Sequence, residues 1–368
     1  MIELLIALLK IAGINYGFFR LMNYITFRAI MAMGTALLFS LIFGFKFILF
    51  LYKKKFRDTS GETLSINAYS KRGTPTAGGT LIISSTLLSL VLWGDFTNSF
   101  FLVLISAFLY FGFVGFLDDF QKSRFKSSLS GLSQLGKTIL MLAYIVPFSF
   151  YYISPLCPIS QKLKTLIYIP FYKNPVLDLG EIGFVLFIIF VMFSVINSVN
   201  MTDGMDGLLS GVSVLTIGVY IVFAYIIGNS LASSHYLFPY IMGVEEVTVF
   251  GAALIGAILG FLWYNSYPAE IFMGDTGSLA IGSVIALMLF FTKQEMLFII
   301  SGGVFIVEIF TSLLQEKIGD RLGRRMIYRA PIHHTLTHEG IAEPKAVIRI
   351  WIVAIILAII SLLSLKVR

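Results

Sequence analysis

Four groups of polar residues in this chain have the types and spacing to do chemistry, and each borders a strongly apolar run. The first is Asp118-Asp119, within Gly115-Phe-Leu-Asp-Asp-Phe-Gln-Lys122. Adjacent carboxylates at the end of a helical run repel each other and sit against the negative end of the helix dipole. Something cationic must offset this: a divalent ion, Lys122 or Lys137. The second is Asn200-Met-Thr-Asp203-Gly-Met-Asp206-Gly207. Three residues apart, Asp203 and Asp206 share one face of a helical first turn. The glycines allow close backbone approach, and a helix N-terminus suits phosphate. Capping alone accounts for one aspartate, less easily for two together with Asn197 and Asn200. The third is Asn265-Ser-Tyr-Pro-Ala-Glu-Ile-Phe-Met-Gly-Asp275-Thr-Gly-Ser278. Here Asp275 either caps the next helix or serves a site. Phe272 and Met273 either dip into a membrane or wall a nucleobase. The fourth is Ala330-Pro-Ile-His333-His334-Thr-Leu-Thr-His338, which follows Arg324, Arg325 and Arg329. Phosphate contact or proton transfer is its natural use. Zinc binding by His334 and His338 finds no thiol partner, because the chain has one cysteine, Cys157.

Two further features belong with these. Lys71-Arg-Gly-Thr-Pro-Thr-Ala-Gly-Gly79 makes a tight turn before an apolar run, a second anion-attracting helix start, though not a Walker loop. Glu308 lies inside an apolar run and must face protein or water. Carboxylates for a metal, cations for phosphate oxygens and a base for the nucleophile are what phosphoryl transfer needs.

The elements that must position these residues are membrane helices. Of 368 residues, 57% are hydrophobic and 13% charged, where a soluble domain carries about 25% charge. Long unbroken apolar runs indicate an all-α integral membrane protein, since spanning β-barrels alternate. A span needs about 20 apolar residues. Runs at 29–52, 77–93, 99–117, 135–155, 182–199, 207–229, 247–264, 277–292, 295–314 and 346–365 give about ten transmembrane helices. With both termini on the outer face, the inner loops and span ends hold 17 Lys and Arg against 9 outside, the bias orientation requires. All four groups then lie on the cytoplasmic face.

The chain reads as a single polytopic membrane domain, 1–368. Residues 1–20 fit an interfacial helix; with no basic n-region and no cleavage site, they are expected to be retained. Residues 156–181 form an outer loop that allows a short hairpin, and 315–345 form a basic, His-bearing cytoplasmic loop. The net charge of +7 flanks the spans and meets anionic lipid, so nucleic acid is not an expected partner.

These motifs are recognisable in combination. From Tyr24-Ile-Thr-Phe-Arg28 to the final run, the sequence resembles the phospho-N-acetylmuramoyl-pentapeptide transferase family of the polyprenyl-phosphate N-acetylhexosamine-1-phosphate transferase superfamily. The residues that carry the resemblance are the Lys71–Gly79 turn, Gly115–Asp119, Asn197-Ser-Val-Asn-Met-Thr-Asp-Gly-Met-Asp-Gly207, Asn265–Pro268, Phe272–Ser278 and Ala330–His334. The resemblance implies that undecaprenyl phosphate attacks UDP-MurNAc-pentapeptide at the bacterial inner membrane, giving lipid I and UMP with Mg²⁺ as cofactor. It implies Asp275 as Mg²⁺ ligand and Asp118 as base for the lipid phosphate, with Asp119 beside it. Asp203, Asn197, Asn200 and His333 would line the diphosphate region. Asn265, Asp206 and Phe272 would hold uridine, Lys71 and Lys137 would contact phosphates, and His334 would assist in substrate binding. A homodimer is also implied. Thr335 stands where the family motif has a third histidine.

Two rivals compete with this reading. A related transferase would move GlcNAc-1-phosphate, and the Ala330–His334 motif argues against it. An ion-coupled transporter would need acids at the midplane and broken helices in paired halves; apart from Glu308, the acids crowd one rim.

Overall fold

The computed structural model describes residues 21–54, 56, 73–125, 131–319, 321 and 330–366. The helix expected within 1–20, Lys71, and Arg324, Arg325 and Arg329 lie outside these. The described chain is mostly helical, because a backbone in hydrocarbon must satisfy its own polar groups. Helices α1 (Ile25–Lys53), α2 (Gly79–Trp93), α3 (Ser99–Phe125) and α4 (Gln134–Ile153) come first. A short α5 (Gln161–Lys164) precedes strands β1 (Leu166–Ile167) and β2 (Leu177–Asp178), which pair antiparallel, Leu166 opposite Asp178. Then follow α6 (Gly180–Met201), α7 (Leu208–Gly228), α8 (Ser230–His235), α9 (Glu246–Asn265) and α10 (Gly274–Phe291). The chain closes with α11 (Phe298–Ser301), α12 (Gly303–Leu314), a π-turn at Gln315–Gly319, α13 (Ile332–His338) and α14 (Glu343–Leu363).

Eight of these helices are long and apolar enough to cross a bilayer, and the chain is a multi-pass membrane protein. Every apolar run read from the sequence falls on a helix, but two runs are less regular than expected. Helix α2 has only 15 residues. The run at 295–314 is split at Gly302 into α11 and α12.

Two local expectations are corrected. Helix α3 continues to Phe125, two turns past the expected end at 117. Asp118 and Asp119 therefore sit inside a helix and do not oppose its C-terminal dipole. Asp203 and Asp206 are not in a helical first turn either. They lie in the turn before α7, which begins only after Gly207 at φ 77°.

Helix α10 is the axis of the bundle. Of its apolar stretch 89% is buried, against 28% for α1, α4 and α14, so those three give most of their surface to lipid. Ile42, Phe113, Ile182 and Phe190 are among the exposed apolar side chains that lipid would cover. Helices α3, α6, α2 and α7 pack around α10. Its first turns are approached at backbone distance. A Cβ on Gly79 would strike the Gly277 backbone, and one on Gly115 would strike the Asp275 carbonyl. Small residues drive such close packing where lipid removes the hydrophobic incentive. At the opposite end, Arg28 of α1 pairs with Glu246 of α9 and donates to the Trp93 carbonyl of α2 at 3.2 Å.

The glycine contact is testable. Gly115→Ala should lower the apparent thermal midpoint in detergent, because overpacking of this kind costs roughly 1–3 kcal/mol. Gly34→Ala, with nothing within 4 Å of the added carbon, should leave the midpoint unchanged or raise it, as alanine is the better helix former. Equal midpoints for both variants would overturn the contact.

Candidate active site and metal centre

The site is assembled where the C-terminal third of α3 meets the first turn of α10. That first turn has backbone N–H groups with no partner in their own helix, and Asp119 supplies one from α3. The Asp275 N–H donates to Asp119 Oδ1 at 3.1 Å. The Thr276 N–H and hydroxyl donate to Oδ2 at 3.0 and 2.6 Å. The helix dipole favours a carboxylate at that place. Asp119 is thereby buried and fully engaged, and it fixes the next residue along, Asp275, relative to α3.

Asp118, one position earlier, has different partners. Its Oδ1 accepts from the Leu132 N–H at 2.7 Å, and its Oδ2 is 2.5 Å from Lys122 Nζ. Asp275 Oδ2 receives both Lys137 Nζ at 2.8 Å and Lys122 Nζ at 3.2 Å, while Oδ1 accepts from Asn200 Nδ2 at 2.8 Å. Asn200 Nδ2 also donates to Ser278 Oγ at 2.7 Å, and Lys137 Nζ stands 3.5 Å from Asn200 Oδ1. Carboxylate oxygens of Asp118, Asp119 and Asp275 all lie within 4.8 Å of one another. Such a donor set of hard oxygens can bind a metal ion, and it suits a hard divalent cation. Two ammonium groups face three carboxylates, so the ionised cluster keeps one negative charge to offer.

Asp203 stands beside this cluster in the turn between α6 and α7. Burial in a low-dielectric setting, and then the charges of Asp275 and Asp119, push its carboxyl up to about 7. The Gly274 N–H, donating to it, partly opposes the rise.

The remaining expected residues have partners of their own. Asp206 is buried; its N–H donates to Glu343 Oε1 at 3.0 Å, and its Oδ2 accepts from the Ala269 N–H at 3.0 Å. Asn265 Oδ1 accepts from the Gly207 N–H at 3.1 Å and from Ser210 Oγ at 3.3 Å, and its Nδ2 donates to the Ile271 carbonyl at 2.9 Å. Phe272 is stitched by its backbone to the turn before α2, donating to the Pro75 carbonyl and accepting from the Gly78 N–H, both at 2.9 Å. His333 is buried, with Nδ1 2.9 Å from Glu308 Oε2, and its ring lies 4.2 Å from that of His334. Asn197 is one turn back from Asn200. Its amide donates to the Phe193 carbonyl at 2.7 Å and meets Met141 Sδ at 3.9 Å, so that donor is not on the aspartates. The structure thus brings together Asp118, Asp119, Asp275, Asn200 and Lys137, with Asp203 alongside.

Lys122, one of the cations the sequence offered to offset the adjacent aspartates, does pair with Asp118, four residues away on one helix face. Three participants carry no such reading in the sequence: Thr276, Ser278 and Glu343. Ser278, three from Asp275, had a signal in its spacing. Thr276 and Glu343 had none, because their partners come from distant segments.

Comparison with known proteins gives the family. Residues 101–293, which carry all three aspartate-bearing stretches, match the family model described as glycosyl transferase family 4. The chain is similar to the phospho-N-acetylmuramoyl-pentapeptide-transferase of Leptospira biflexa, 41% identical over 97% of this chain and 98% of that protein. It is likewise similar to the proteins of that name from Geobacter sp. strain M21, at 38% over 96% and 97%, and from Desulfovibrio desulfuricans, at 40% over 96% and 97%. Identity at this level along nearly the whole length of each relative means that the chain belongs to the phospho-N-acetylmuramoyl-pentapeptide transferase family, and to glycosyl transferase family 4.

Proposed function

We propose that this protein transfers phospho-MurNAc-pentapeptide from UDP-MurNAc-pentapeptide to undecaprenyl phosphate, giving lipid I and UMP, at the cytoplasmic face of the bacterial inner membrane. The observation that carries this reading is the convergence of Asp118, Asp119 and Asp275 on Lys122 and Lys137 at one end of an apolar helix bundle. A lipid-borne phosphate and a water-borne nucleotide sugar can meet only at such a boundary. Ten spans with both termini outside, supported by the loop charges, put that end in the cytosol. A homodimer completes the proposal.

The cofactor we infer is Mg²⁺, held by Asp275 with Asp118 and Asp119 in reach, because three carboxylates in excess over two lysines are a hard-oxygen site. Held there by these carboxylates, the ion would supply charge neutralisation for diphosphate oxygens. Lys122 and Lys137, which neutralise Asp275, are the cations placed to meet phosphate oxygens. Lys71 joins them. Asp118 orients the lipid phosphate and takes its remaining proton where one is present; at neutral pH that phosphate is already largely dianionic, its second pKa being near 6. Asn200, Asn197, Asp203 and His333 line the diphosphate, and His334 adds to substrate binding. Phe272 stacks on uridine. Asp206 and Asn265 shape the uridine pocket through the backbones they hold, since their side chains already bond Ala269, Gly207 and Ile271.

Purified protein given UDP-MurNAc-pentapeptide, undecaprenyl phosphate and Mg²⁺ should release UMP. Substituting UDP-GlcNAc should give little, and a preference for it would transfer the reading to the rival sugar. Chelation should stop release and added Mg²⁺ restore it. Asp275→Asn should cut turnover by at least about 10³-fold while the protein inserts and melts nearly as before. Substantial UMP release from that variant would remove Asp275 as the metal ligand.

Asp203 gives a pH-dependent expectation. Its carboxyl sits at about 7 in the fold and near 3.9 in an unfolded chain. Below roughly pH 4 both states hold the proton and nothing is lost. Between about 4 and 7 the unfolded state ionises first, so folding weakens as pH rises; above 7 the penalty is constant. In metal-free buffer, Asp203→Asn should therefore raise the apparent thermal midpoint at pH 8 and converge on wild type toward pH 4. A difference that grows toward acid would contradict the assignment.

A further inference from the structure

Glu308 is a buried carboxylate on an otherwise apolar helix, in Gly303-Val-Phe-Ile-Val-Glu308-Ile-Phe. Taking a carboxylate out of water is costly unless partners compensate. Among the described residues it has one such partner, His333, whose Nδ1 is 2.9 Å from Glu308 Oε2. Its other oxygen is buried without a hydrogen bond. A merely structural contact between α12 and α13 would not require a charge here; two apolar side chains would pack at less cost.

The other nitrogen of the ring shows what the pair faces. His333 Nε2 is buried and has no hydrogen-bond partner among the described residues. It lies directly against Gly204, so that a Cβ at that position would collide with Nε2 and with Cε1 2.7 Å away. Gly204 follows Asp203 and precedes Asp206. The turn that carries both aspartates is thus glycine at the point where the imidazole abuts it. Glu308, His333 Nδ1, His333 Nε2 and the 203–206 turn form one line, leading from the bundle interior to the candidate site.

We propose that Glu308 is a positioning residue for the transfer reaction: it holds the His333 ring by Nδ1–H, keeps Nε2 aimed at the 203–206 turn, and supports the imidazolium when Nε2–H meets a phosphate oxygen of the nucleotide sugar. A carboxylate behind a histidine orients the ring, sets which nitrogen carries the proton and stabilises the cation that forms. The proton on Nε2 comes from solvent and returns there; no covalent bond is made or broken. Without Glu308 the ring is free to rotate or to place its hydrogen on the wrong nitrogen.

This inference rests on the transferase reading, so the experiment separates the two. Wild type, Glu308→Gln, His333→Gln and the double variant are compared for UMP release, and the histidine ring nitrogens are observed by ¹⁵N NMR in substrate-free protein. Glu308→Gln should lower kcat by about 10–100-fold with KM changed less than about threefold. In the His333→Gln background the same change should cost nothing further, because Glu308 acts only through the ring. The wild-type spectrum should show His333, assigned by its loss in His333→Gln, protonated at Nδ1, and Glu308→Gln should disturb that signature without lowering the thermal midpoint. Additive losses, or a ring unchanged by Glu308→Gln, would overturn the proposal while leaving the transferase reading intact. Absence of UMP release from wild type would instead overturn the transferase reading, and the ring signature would still report on the pair.

Discussion

Everything at this site hangs on a carboxylate from one helix completing the first turn of another. Asp119 takes the two N–H groups and the hydroxyl that the start of α10 presents. A helix beginning inside a bundle cannot leave those donors to water, and an unpaired buried N–H costs about as much as a lost hydrogen bond. The cap is therefore obligatory, and meeting it across helices fixes α3 against α10 at the residue that matters. Asp275 inherits its place from this bond. The backbone contacts at Gly115 and Gly79 serve the same end: with larger residues the helices would stand further apart, and Asp119 would no longer reach.

Around that fixed point the other charges are held by partners that can move. Lys122 bridges Asp118 and Asp275, and Lys137 holds Asp275 from the other side. Asp119, whose lone pairs serve the helix end, has the least freedom to change partners. Asp118 and Asp275 are held mostly by flexible ammonium groups, which a cation or a phosphate can displace at modest cost. The division follows from chemistry: backbone donors are rigid, and lysine stems are not. One aspartate of the adjacent pair builds the site, and its neighbour remains available to it.

The fold was legible in the sequence to the extent that lipid dictates it. Apolar runs long enough to span must be helices, and each run read from the sequence is helical, the one at 295–314 as two helices broken at Gly302. Helix ends were read less well. The run ending at 117 continues to Phe125 because charged residues can extend a helix once it has left the hydrocarbon, and hydropathy alone cannot see that extension. Asp203 and Asp206 were read as helical because their spacing allowed it, but Gly207 takes a left-handed turn that ends any such helix. The convergence of Asp118, Asp203 and Asp275 on one face followed from counting spans, and the geometry agrees. What the count could not reveal is which atoms meet. The Asp119–Thr276 and Asp206–Glu343 bonds join residues more than a hundred positions apart, and neither residue type nor spacing signals them.

The opposite end of the bundle shows why burial of charge does not by itself mark a functional site. Lys293 and Glu295 are wholly buried there, 2.9 Å apart. Lys293 also donates to the Lys164 carbonyl at 3.1 Å and lies 4.3 Å over the Phe184 ring. Burial lowers the lysine's pKa and raises the glutamate's, each opposed by the partner's charge. One cation meets one anion, no net charge is left over, and neither side chain reaches solvent. That pair ties the segment after α10 to the hairpin loop. At the aspartate end the balance is broken on purpose: acids outnumber the lysines that touch them, Lys122 and Lys137 stay partly exposed, and the surplus faces the boundary from which a cation and a nucleotide sugar would arrive. Surplus charge with access, not charge alone, distinguishes the two clusters, and only one of them is equipped to take up a ligand.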